Sequence, residues 1–486
     1  MGVRLRAGVG VVLLVGFFVL VLGIIGVCVF GAVYGLTTGQ LGGGITLAVI
    51  AVVVAGGVGT ALWKVLTDKV EPRGARADRA DQPELWRMID ELAVAAGTRG
   101  PDEVWIVPEV NASVWERGQL LGLRAGRRYM SIGLPLLGGL SVAELRAVLG
   151  HELGHYSHGH TKVTALTYRA TATMARTLNH MEGWLRLPLS WYVSLYLLVA
   201  RSANRAQELQ ADEAAVRAAG KQPTRSMLGK LNALDAAWDH YGDSYVSLAR
   251  PAERSPQLLV GFHDFLTNDL RHQQLVEAQA ALLDAEPTSR YDSHPPMRAR
   301  IAAIDVLTEP DQAVDDRPAW ELLNDPERTV PLLEAELLAN DLGPRASWPE
   351  IVALGTANVV KQNAKTLAQA LSRHGYGNVR TGDLDEVFAV LERGEGHVMV
   401  GQVAGELPEA DRLPMFARTF ADTIAYVLVE AGQASFVLDW ADTWRLRLAD
   451  GEDVPDLLAR ATAALTDPAA ARPLRDWLTA LPTPAA

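Results

Sequence analysis

Residues 151–155 of this 486-residue chain read H-E-L-G-H, with two histidines four positions apart and a glutamate after the first. On an α-helix, side chains four residues apart lie one above the other on the same face. His151 and His155 can therefore both aim a ring nitrogen at one metal ion. Glu152 lies beside them, close enough to hold and deprotonate a water molecule on that metal. The pattern indicates metal-assisted hydrolysis.

The alternative interpretation is a surface helix that happens to carry two histidines. Because only 11 of the 486 residues are histidine, the pattern arises by chance in about 1% of such chains. A third metal ligand would separate the two interpretations. A catalytic zinc takes three protein ligands and leaves one position open to water, and two histidines with one glutamate are a known set.

The third ligand is expected on a predicted helix at residues 201–220, where Glu208 and Asp212 share a face. Glu208 is our candidate for the carboxylate ligand. Asp212 is expected to accept a hydrogen bond from one histidine ring and so to orient it. Taken alone, the pair is equally well explained as a solvated acidic face on an alanine-rich helix.

Two kinds of element must position these residues. Ser141 and Glu144 match the S-x-x-E capping box that begins a helix, and Leu145, Leu149 and Leu153 form an apolar stripe along it. A helix is also predicted at 83–96, and strands at 103–107, 113–117 and 129–136. The last strand runs into the metal helix. It either pairs with an extended substrate backbone or is an ordinary internal strand.

Three segments occur in a fixed order along the chain: HELGH at 151–155, ELQAD at 208–212 and SHPPMRARI at 293–301. Together they resemble the HtpX-type membrane zinc metallopeptidase family, which are H-E-x-x-H gluzincins related to the CAAX prenyl proteases. The Asn-Ala pair at 111–112 also resembles a short element of that family. The resemblance covers about residues 80–305.

The resemblance implies one Zn²⁺ ion per chain, bound by His151, His155 and Glu208. It implies that Glu152 is the general base of the reaction. It matches Asp212 with the acidic residue that follows the family's third ligand.

Further histidines are weighed separately. By the resemblance, His294 and Arg300 match family positions near the active site. His294 is predicted to be catalytic, as a donor to the oxyanion of a tetrahedral intermediate; a structural histidine is the alternative. His158 and His160 fall outside the four-residue spacing of the ligands and are expected at the helix end instead.

The sequence also departs from the family pattern. HtpX-type chains usually have two membrane spans between the metal helix and the third ligand. Here the only apolar run in that interval, residues 187–200, is too short to span a bilayer. Its aromatic residues suit either a membrane interface or a core. Because the sequence lacks the multi-span barrel of CAAX proteases, we do not expect a prenylated protein as substrate. We expect an active-site cleft that is open to the cytoplasm.

The first 66 residues predict a membrane anchor. No charged residue lies between Arg6 and Lys64, and two apolar runs fill the interval, at about 9–30 and 45–63. Each is long enough to cross a hydrocarbon core of about 30 Å, which takes roughly 20 helical residues. A cleaved signal peptide is the alternative, but its apolar core would be too long and a second run follows. We therefore predict a two-helix transmembrane hairpin.

Flanking charges set the orientation. Arg4 and Arg6 precede the first run, Lys64 and Lys69 are among the cations that follow the second, and the link between the runs has no Lys or Arg. The positive-inside bias places both ends in the cytoplasm. This predicts a multi-pass protein of the cell (inner or plasma) membrane with a cytoplasmic catalytic domain. The single cysteine, Cys28, excludes a disulfide framework.

The charge distribution and a stretch rich in Pro and Asp divide the rest of the chain into two domains. Residues 311–486 hold 28 acidic and 15 basic residues, a net charge of −13. The whole chain has a net charge of −12, so the residues before 311 are close to neutral. This distribution argues against a nucleic-acid partner, which requires a basic surface. Pro and Asp residues at 309–331 predict a boundary. Beyond it, helices are predicted at 349–373, 383–393, 412–431 and 454–465, and strands at 397–403, 434–439 and 443–449.

The predicted class is mainly α, of α+β type. It comprises the transmembrane helical hairpin at 1–66, a zincin-like metallopeptidase domain at 67–308 and an acidic C-terminal α/β domain at 309–486. The predicted function is a membrane-anchored zinc metalloendopeptidase with polypeptide substrates and the lipid bilayer as partners. By resemblance, its role is quality control of membrane or unfolded proteins. The alternatives are a non-catalytic scaffold, against which the intact Glu152 argues, and a dedicated processing protease.

Overall fold

The computed structural model describes residues 3–67, 74–119, 124–156, 186–285, 295–308, 313–338, 342–454 and 456–481. The chain divides into two compact units: Met1–Asp235 with Leu275–Leu337, and Ala236–Gln274 with Leu338–Ala486. The fold is mainly helical with some sheet, as the predicted class requires. The predicted domain boundaries stay a prediction.

The first unit begins with two long helices, α1 (Val3–Thr37) and α2 (Leu41–Thr67). They pack closely where both are glycine: a Cβ atom on Gly35 would lie 2.9 Å from the Gly44 Cα. Within the described residues, one helical segment is long and apolar enough to cross a membrane, Val15–Thr37. The apolar stretch of α2, Leu41–Gly57, is shorter.

A four-stranded sheet follows, in the order β1-β2-β4-β3. Its strands are β1 (Ala75–Arg76), β2 (Glu103–Val107), β3 (Ala112–Gln119) and β4 (Arg124–Gly133), and α3 (Pro83–Ala95) lies between β1 and β2 in the sequence. The middle strands β2 and β4 are parallel, whereas both outer pairs are antiparallel. The predicted helix at 83–96 and the first two predicted strands are confirmed.

The third predicted strand, 129–136, is too long at its end. β4 stops at Gly133, and a short helix α4 (Leu134–Gly139) begins there. The physical reason is Pro135, which has no N–H for a strand ladder but suits the first turn of a helix. β4 is also an internal strand, as in the simpler of the two interpretations. The outer strand on this side, among the described residues, is β3.

Helix α5 (Val142–Gly154) is the predicted metal helix, and its capping box is confirmed. The Ser141 Oγ accepts from the Glu144 N–H at 3.3 Å, and Glu144 Oε2 accepts from the Ser141 N–H at 2.9 Å. Helix α6 (Arg186–Ala219) follows in the first unit. Helix α7 (Lys221–Ser244) begins in the first unit and ends in the second, which contains α8 (Ala249–Ala252) and α9 (Leu258–Thr267). Helix α10 (Asp269–Ala285) begins in the second unit and ends in the first, which also contains α11 (Met297–Asp305) and α12 (Pro326–Leu337).

The second unit is a helical bundle with a two-stranded hairpin. Its further helices are α13 (Trp348–Arg373), α14 (Asp385–Glu392), α15 (Gly396–Val403), α16 (Glu409–Glu430), α17 (Leu457–Thr466) and α18 (Pro468–Ala480). The strands β5 (Ala434–Asp439) and β6 (Thr443–Leu448) pair antiparallel. The core contains Phe388, Phe420 and Ile424, all almost fully buried.

One strand prediction in this unit is wrong. Residues 397–403 form helix α15, not a strand. The run is rich in valine, which favours strands when neighbours are not considered. However, its buried side chains, Met399 and Val400, are adjacent in sequence, and an isolated strand would point them to opposite faces. The two predicted strands at 434–439 and 443–449 are confirmed, the second ending one residue earlier.

Candidate metal centre

Two ring nitrogens meet at the C-terminal end of α5. His151 lies in its last turn and His155 immediately follows it, with a helical backbone conformation. Their Nε2 atoms are 3.1 Å apart, and the ring planes are almost perpendicular at 89°. Burial, and then the neighbouring His151, lower the pKa of His155 to about 4. The ring is therefore neutral at pH 7, which is the form that binds a metal.

Helix α6 brings a carboxylate to the same point. Glu208 Oε2 lies 3.7 Å from the His151 Nε2, and Glu208 Oε1 lies 3.8 Å from the His155 Nε2. The ligand atoms of all three residues lie within 4.8 Å of one another. The structure thus brings together the three residues predicted as ligands, although 52 residues separate the last two in sequence.

The spacing of these atoms fits a tetrahedral metal. Ligand bonds of about 2.1 Å at tetrahedral angles place two donor atoms about 3.4 Å apart. The two Nε2 atoms are 3.1 Å apart, and the nearest Glu208 oxygen lies 3.7 Å from that of His151 (Oε2) and 3.8 Å from that of His155 (Oε1), all within about 0.4 Å of that value. Two imidazoles and one carboxylate are also the donor set that zinc accepts. The residues present therefore fit a catalytic zinc with one open coordination position.

Two glycines on α5 allow α6 to come this close. A Cβ atom on Gly150 would lie 2.7 Å from the Ala218 Cβ, and one on Gly154 would lie 2.7 Å from the Ala214 Cβ. Real Cβ atoms do not approach to that distance, so both positions need glycine. Arg146 fixes the end of the contact, since its Nε donates to the Ala218 carbonyl at 2.8 Å. The H-E-L-G-H glycine is thus a packing residue.

Asp212 and Arg300 form a buried pair behind the ligands. The guanidinium donates two hydrogen bonds to the carboxylate, from Nε at 2.8 Å and from Nη2 at 2.6 Å. Asp212 is 1% exposed. Burial acts to raise the pKa of Asp212, but the hydrogen bonds from Arg300 and the nearby His151 ring outweigh it and lower the pKa to about 2. The carboxylate is therefore charged at all physiological pH values.

This pair faces the metal ligands directly. Asp212 Oδ1 lies 3.1 Å from the His151 Nδ1, although the N–H is not aligned as in a regular hydrogen bond. Arg300 Nη1 lies 3.6 Å from the Glu208 Oε2. Arg300 thus approaches the carboxylates of both Asp212 and Glu208. The family resemblance predicted that Arg300 lies near the site, but it did not predict which residues Arg300 contacts.

Glu152 follows His151 on α5 and is half-buried. Its charge acts on Tyr156, whose pKa is raised to about 12, mainly by burial and less by Glu152 and Glu116. The Tyr156 hydroxyl donates to the Val114 carbonyl of β3 at 2.7 Å. This bond ties the residue after the histidine pair to the outer strand of the sheet.

The N-terminal end of α5 is held by a second charged group. Glu144 is buried, and its Oε1 accepts from Ser226 Oγ at 2.5 Å and from Lys230 Nζ at 2.6 Å. The first two N–H groups of the helix donate to backbone carbonyls, that of Val142 to Arg317 and that of Ala143 to Asp315. Sequence reasoning found the capping box but not these long-range partners.

The predicted catalytic residue His294 lies outside the described residues, and so do His158 and His160. The described part of the SHPPMRARI segment begins at Pro295. Its helix, α11, supplies Arg300 to the site. The role predicted for His294 therefore stays a prediction.

Known proteins resemble this region. Residues 79–308 match the family model for peptidase family M48. A Protease HtpX homolog of Thermoplasma volcanium is 27% identical over 253 residues, covering 49% of this chain and 75% of that protein. A Protease HtpX homolog of Leuconostoc citreum is 26% identical over 178 residues, covering 36% of this chain and 55% of that protein.

Protease HtpX of Acinetobacter baumannii is 27% identical over 191 residues, covering 34% of this chain and 60% of that protein. The chain therefore spans between about half and three quarters of the length of these relatives. No solved structure matches the chain significantly.

Proposed function

Residues 79–308 belong to peptidase family M48, in its HtpX type, and from this premise we propose that the chain is a membrane-anchored zinc metalloendopeptidase. The observation that carries the proposal is the convergence of His151, His155 and Glu208 from two helices on one point. The family match supports a peptidase, and the arrangement of the three ligands supports a bound metal ion, for which we propose zinc.

The zinc, when bound, supplies a Lewis acid that polarises the scissile carbonyl and lowers the pKa of a bound water. The protein side chains do the rest. Glu152 takes the proton of the attacking water and returns it to the leaving amine. Asp212 holds the His151 ring in place, and Arg300 holds Asp212 and approaches Glu208. The pair of Asp212 and Arg300 thus keeps the side chains of His151 and Glu208 oriented towards the metal position.

The sheet supports an extended polypeptide as substrate. β3 pairs with β4 on one side, and among the described residues no strand covers its other side. An exposed strand edge binds an extended backbone through main-chain hydrogen bonds, which give affinity without reading side chains. Tyr156 joins this strand to the metal helix, so a chain bound along β3 would run close to the histidines. Unfolded segments, including those of membrane proteins, fit this requirement.

We place the protein in the cell (inner or plasma) membrane, as a multi-pass protein with its catalytic domain in the cytoplasm. The support is the apolar segment Val15–Thr37 and the helix α2 that returns beside it. The cations that flank both helices, and their absence from the link, give the orientation.

The test is the substitution Glu152→Gln, which keeps the shape of the side chain and removes the base. We expect the purified variant to retain zinc and to lose cleavage of unfolded casein in detergent, because only proton transfer is removed. Glu213→Gln is the matched control, since Glu213 is exposed on α6 and forms an ion pair with Arg217, one helical turn away. Full activity of Glu152→Gln would refute the assignment of the base. A wild-type protein that contains zinc but cleaves no casein would favour the alternative function, a non-catalytic scaffold.

A further inference from the structure

We propose that the hydroxyl group of Tyr156 occupies, in the substrate-free protein, the place on β3 where an extended substrate donates its own backbone N–H. Substrate binding then requires this hydroxyl to leave the carbonyl of Val114. The inference rests on the proposed function, since it takes β3 as the strand along which a polypeptide binds. It deepens that function by naming the group that competes with the substrate.

The backbone carbonyl of Val114 points to the outer side of the sheet. In an antiparallel pair, residues bonded to the partner strand alternate with residues whose N–H and C=O point away from it. The Gly133 N–H donates to the Asn111 carbonyl at 2.8 Å, so these two residues form a bonded pair. Three positions further along, Val114 lies opposite Met130. The alternation therefore turns the Val114 carbonyl away from β4.

Arg128 of β4 shows the same alternation independently. It lies opposite Glu116 of β3. Its C=O accepts from the Asp102 N–H at 2.7 Å, and its N–H donates to the Asp102 Oδ2 at 2.7 Å. Both backbone groups of Arg128 are thus bonded to the residue that precedes β2, on the side of β4 away from β3. Glu116 and, two residues earlier, Val114 therefore face outward.

Tyr156 takes this outward carbonyl. Its hydroxyl donates to the Val114 oxygen at 2.7 Å, a normal length for such a bond. A strand paired with β3 would lie about 4.8 Å away, and its N–H would donate to the same oxygen. The phenol and a substrate strand cannot both fill that space. The hydroxyl therefore stands where the substrate amide has to bind.

A buried cation holds the ring of Tyr156. The guanidinium carbon of Arg128 lies 4.8 Å from the centre of the ring. Arg128 is itself fixed, since its Nη1 donates to the Thr98 Oγ1 at 2.9 Å and its Nη2 donates to the Glu116 Oε2 at 3.2 Å. The attraction between a cation and an aromatic face does not need the hydroxyl. A phenylalanine at this position therefore keeps the ring contact and removes only the hydrogen bond to β3.

The contact makes substrate binding weaker than an open strand edge would allow. A substrate N–H that pairs with Val114 replaces an existing hydrogen bond instead of adding a new one. One neutral hydrogen bond changes a binding equilibrium about 2- to 10-fold. The protein thus retains chains that make enough further bonds along β3, which favours long extended segments over short exposed termini.

Fluorescence anisotropy with a dye-labelled, unfolded casein peptide tests the inference on the full chain in detergent. A Glu152→Gln background prevents cleavage during the titration. We expect Tyr156→Phe to lower the Kd of the peptide about 2- to 10-fold, because the Val114 carbonyl becomes available to the substrate. Tyr245→Phe in the second unit is the matched control, since its hydroxyl also donates to a backbone carbonyl, that of Asp439, at 2.8 Å. Its Kd should equal that of the parent.

Kinetics separate this role from a structural one. In the active protein, Tyr156→Phe should lower KM by the same factor and leave kcat unchanged, since the hydroxyl has already left when the chemical step occurs. A purely structural tie between α5 and β3 predicts a higher KM and a lower kcat, because its loss would loosen the strand. Unchanged or weaker peptide binding by Tyr156→Phe would overturn the inference, and so would a parent protein that binds no peptide.

A second variant covers the case in which Tyr156→Phe is misfolded. Incorporation of 3-fluorotyrosine at position 156 keeps the ring and makes the hydroxyl a stronger donor, so peptide binding should weaken. Equal or tighter binding would overturn the inference. Tighter binding by Tyr156→Phe, with a wild type that cleaves no casein, would count against the proposed function only. A wild type that cleaves casein, with no tighter binding by Tyr156→Phe, would count against the inference only.

Discussion

At the level of single residues, the metal centre depends on the proton that each side chain carries. The lowered pKa of His155, about 4, keeps its ring neutral at pH 7. The lowered pKa of Asp212, about 2, keeps its carboxylate charged beside the His151 ring. An anion beside the ring of a metal-binding histidine orients that ring and strengthens it as a ligand, and Asp212 has this position beside His151. The polar groups behind the ligands therefore matter as much as the ligands themselves.

We predict that Arg300→Lys weakens zinc binding about 10- to 100-fold, the usual cost of losing an outer partner of a metal ligand. Lysine keeps the charge but cannot form the two parallel hydrogen bonds that Arg300 makes to Asp212. The measurement is zinc affinity by competition with a chelator. Arg298→Lys on the same helix, at an exposed position, is the control. Equal affinity of both variants and the wild type would contradict the role given to Arg300.

The three side chains that converge could be predicted from the sequence, because H-E-x-x-H and the later glutamate are local patterns that a helix converts into geometry. The role of Glu152 as the base stays a prediction. The salt bridge between Asp212 and Arg300 could not be predicted, since 88 positions separate its partners and only the fold brings them together. The ion pair between Lys230 and Glu144 could not be predicted either, because its partners are also far apart in the sequence. Long-range partners of buried charges have no local signal.

At the level of elements, the site is a contact between α5 and α6. Each helix alone carries an incomplete ligand set, and the centre exists only where the two axes approach closely. The approach is set by Gly150 and Gly154, one helical turn apart on the face of α5 that meets α6. Small residues at a helix crossing determine the distance between the axes. Side-chain chemistry at the centre therefore depends on backbone packing beside it.

We predict that Gly154→Ala lowers stability by about 1–3 kcal/mol, the usual effect of overpacking a tight contact. It should weaken zinc binding as well, because the added methyl group pushes α6 and Glu208 away from the histidines. Gly229→Ala in α7 is the control: nothing lies within 4 Å of its Cβ position, and alanine stabilises a helix by about 1 kcal/mol relative to glycine. Thermal unfolding and chelator competition give the two readouts. If Gly154→Ala had the zinc affinity of the wild type, the claim that the contact at Gly154 sets the position of Glu208 would be contradicted.

Elements with strong local signals could be predicted, and elements decided by packing could not. The capping box at Ser141 gave the start of α5 to the residue. Residues 397–403 gave the wrong element type, because their valines favour a strand until the surrounding core is known. The end of β4 depends on Pro135, whose effect on the strand outweighs the apolar pattern around it.

At the level of the whole molecule, the proposal combines a membrane anchor with a cytoplasmic site. The charge pattern around α1 and α2 is a sequence property that needs no fold, so the proposed orientation comes from the sequence alone and stays a prediction. The packing of α6 on α1 could not be predicted, since Tyr192 and Leu13 are 179 positions apart and only the fold brings them together.

Orientation can be tested with an impermeant maleimide in a Cys28→Ala background, which has no cysteine. We expect Gln210→Cys to react in inverted membrane vesicles of a bacterial host and not in intact spheroplasts, because the proposed topology places the metallopeptidase domain in the cytoplasm. Gln40→Cys, in the link between α1 and α2, should show the opposite pattern. Labelling of position 210 from outside would reverse the proposed topology.

The most direct test of the metal centre is the zinc content of the purified wild type and of Glu208→Ala, with Glu213→Ala as the exposed control on the same helix. We predict one zinc ion per chain in the wild type and the control, and loss of that zinc in Glu208→Ala after dialysis against a mild chelator. If Glu208→Ala retained zinc as firmly as the wild type, the convergence of α5 and α6 on one metal ion would be contradicted, and with it the proposed hydrolytic mechanism.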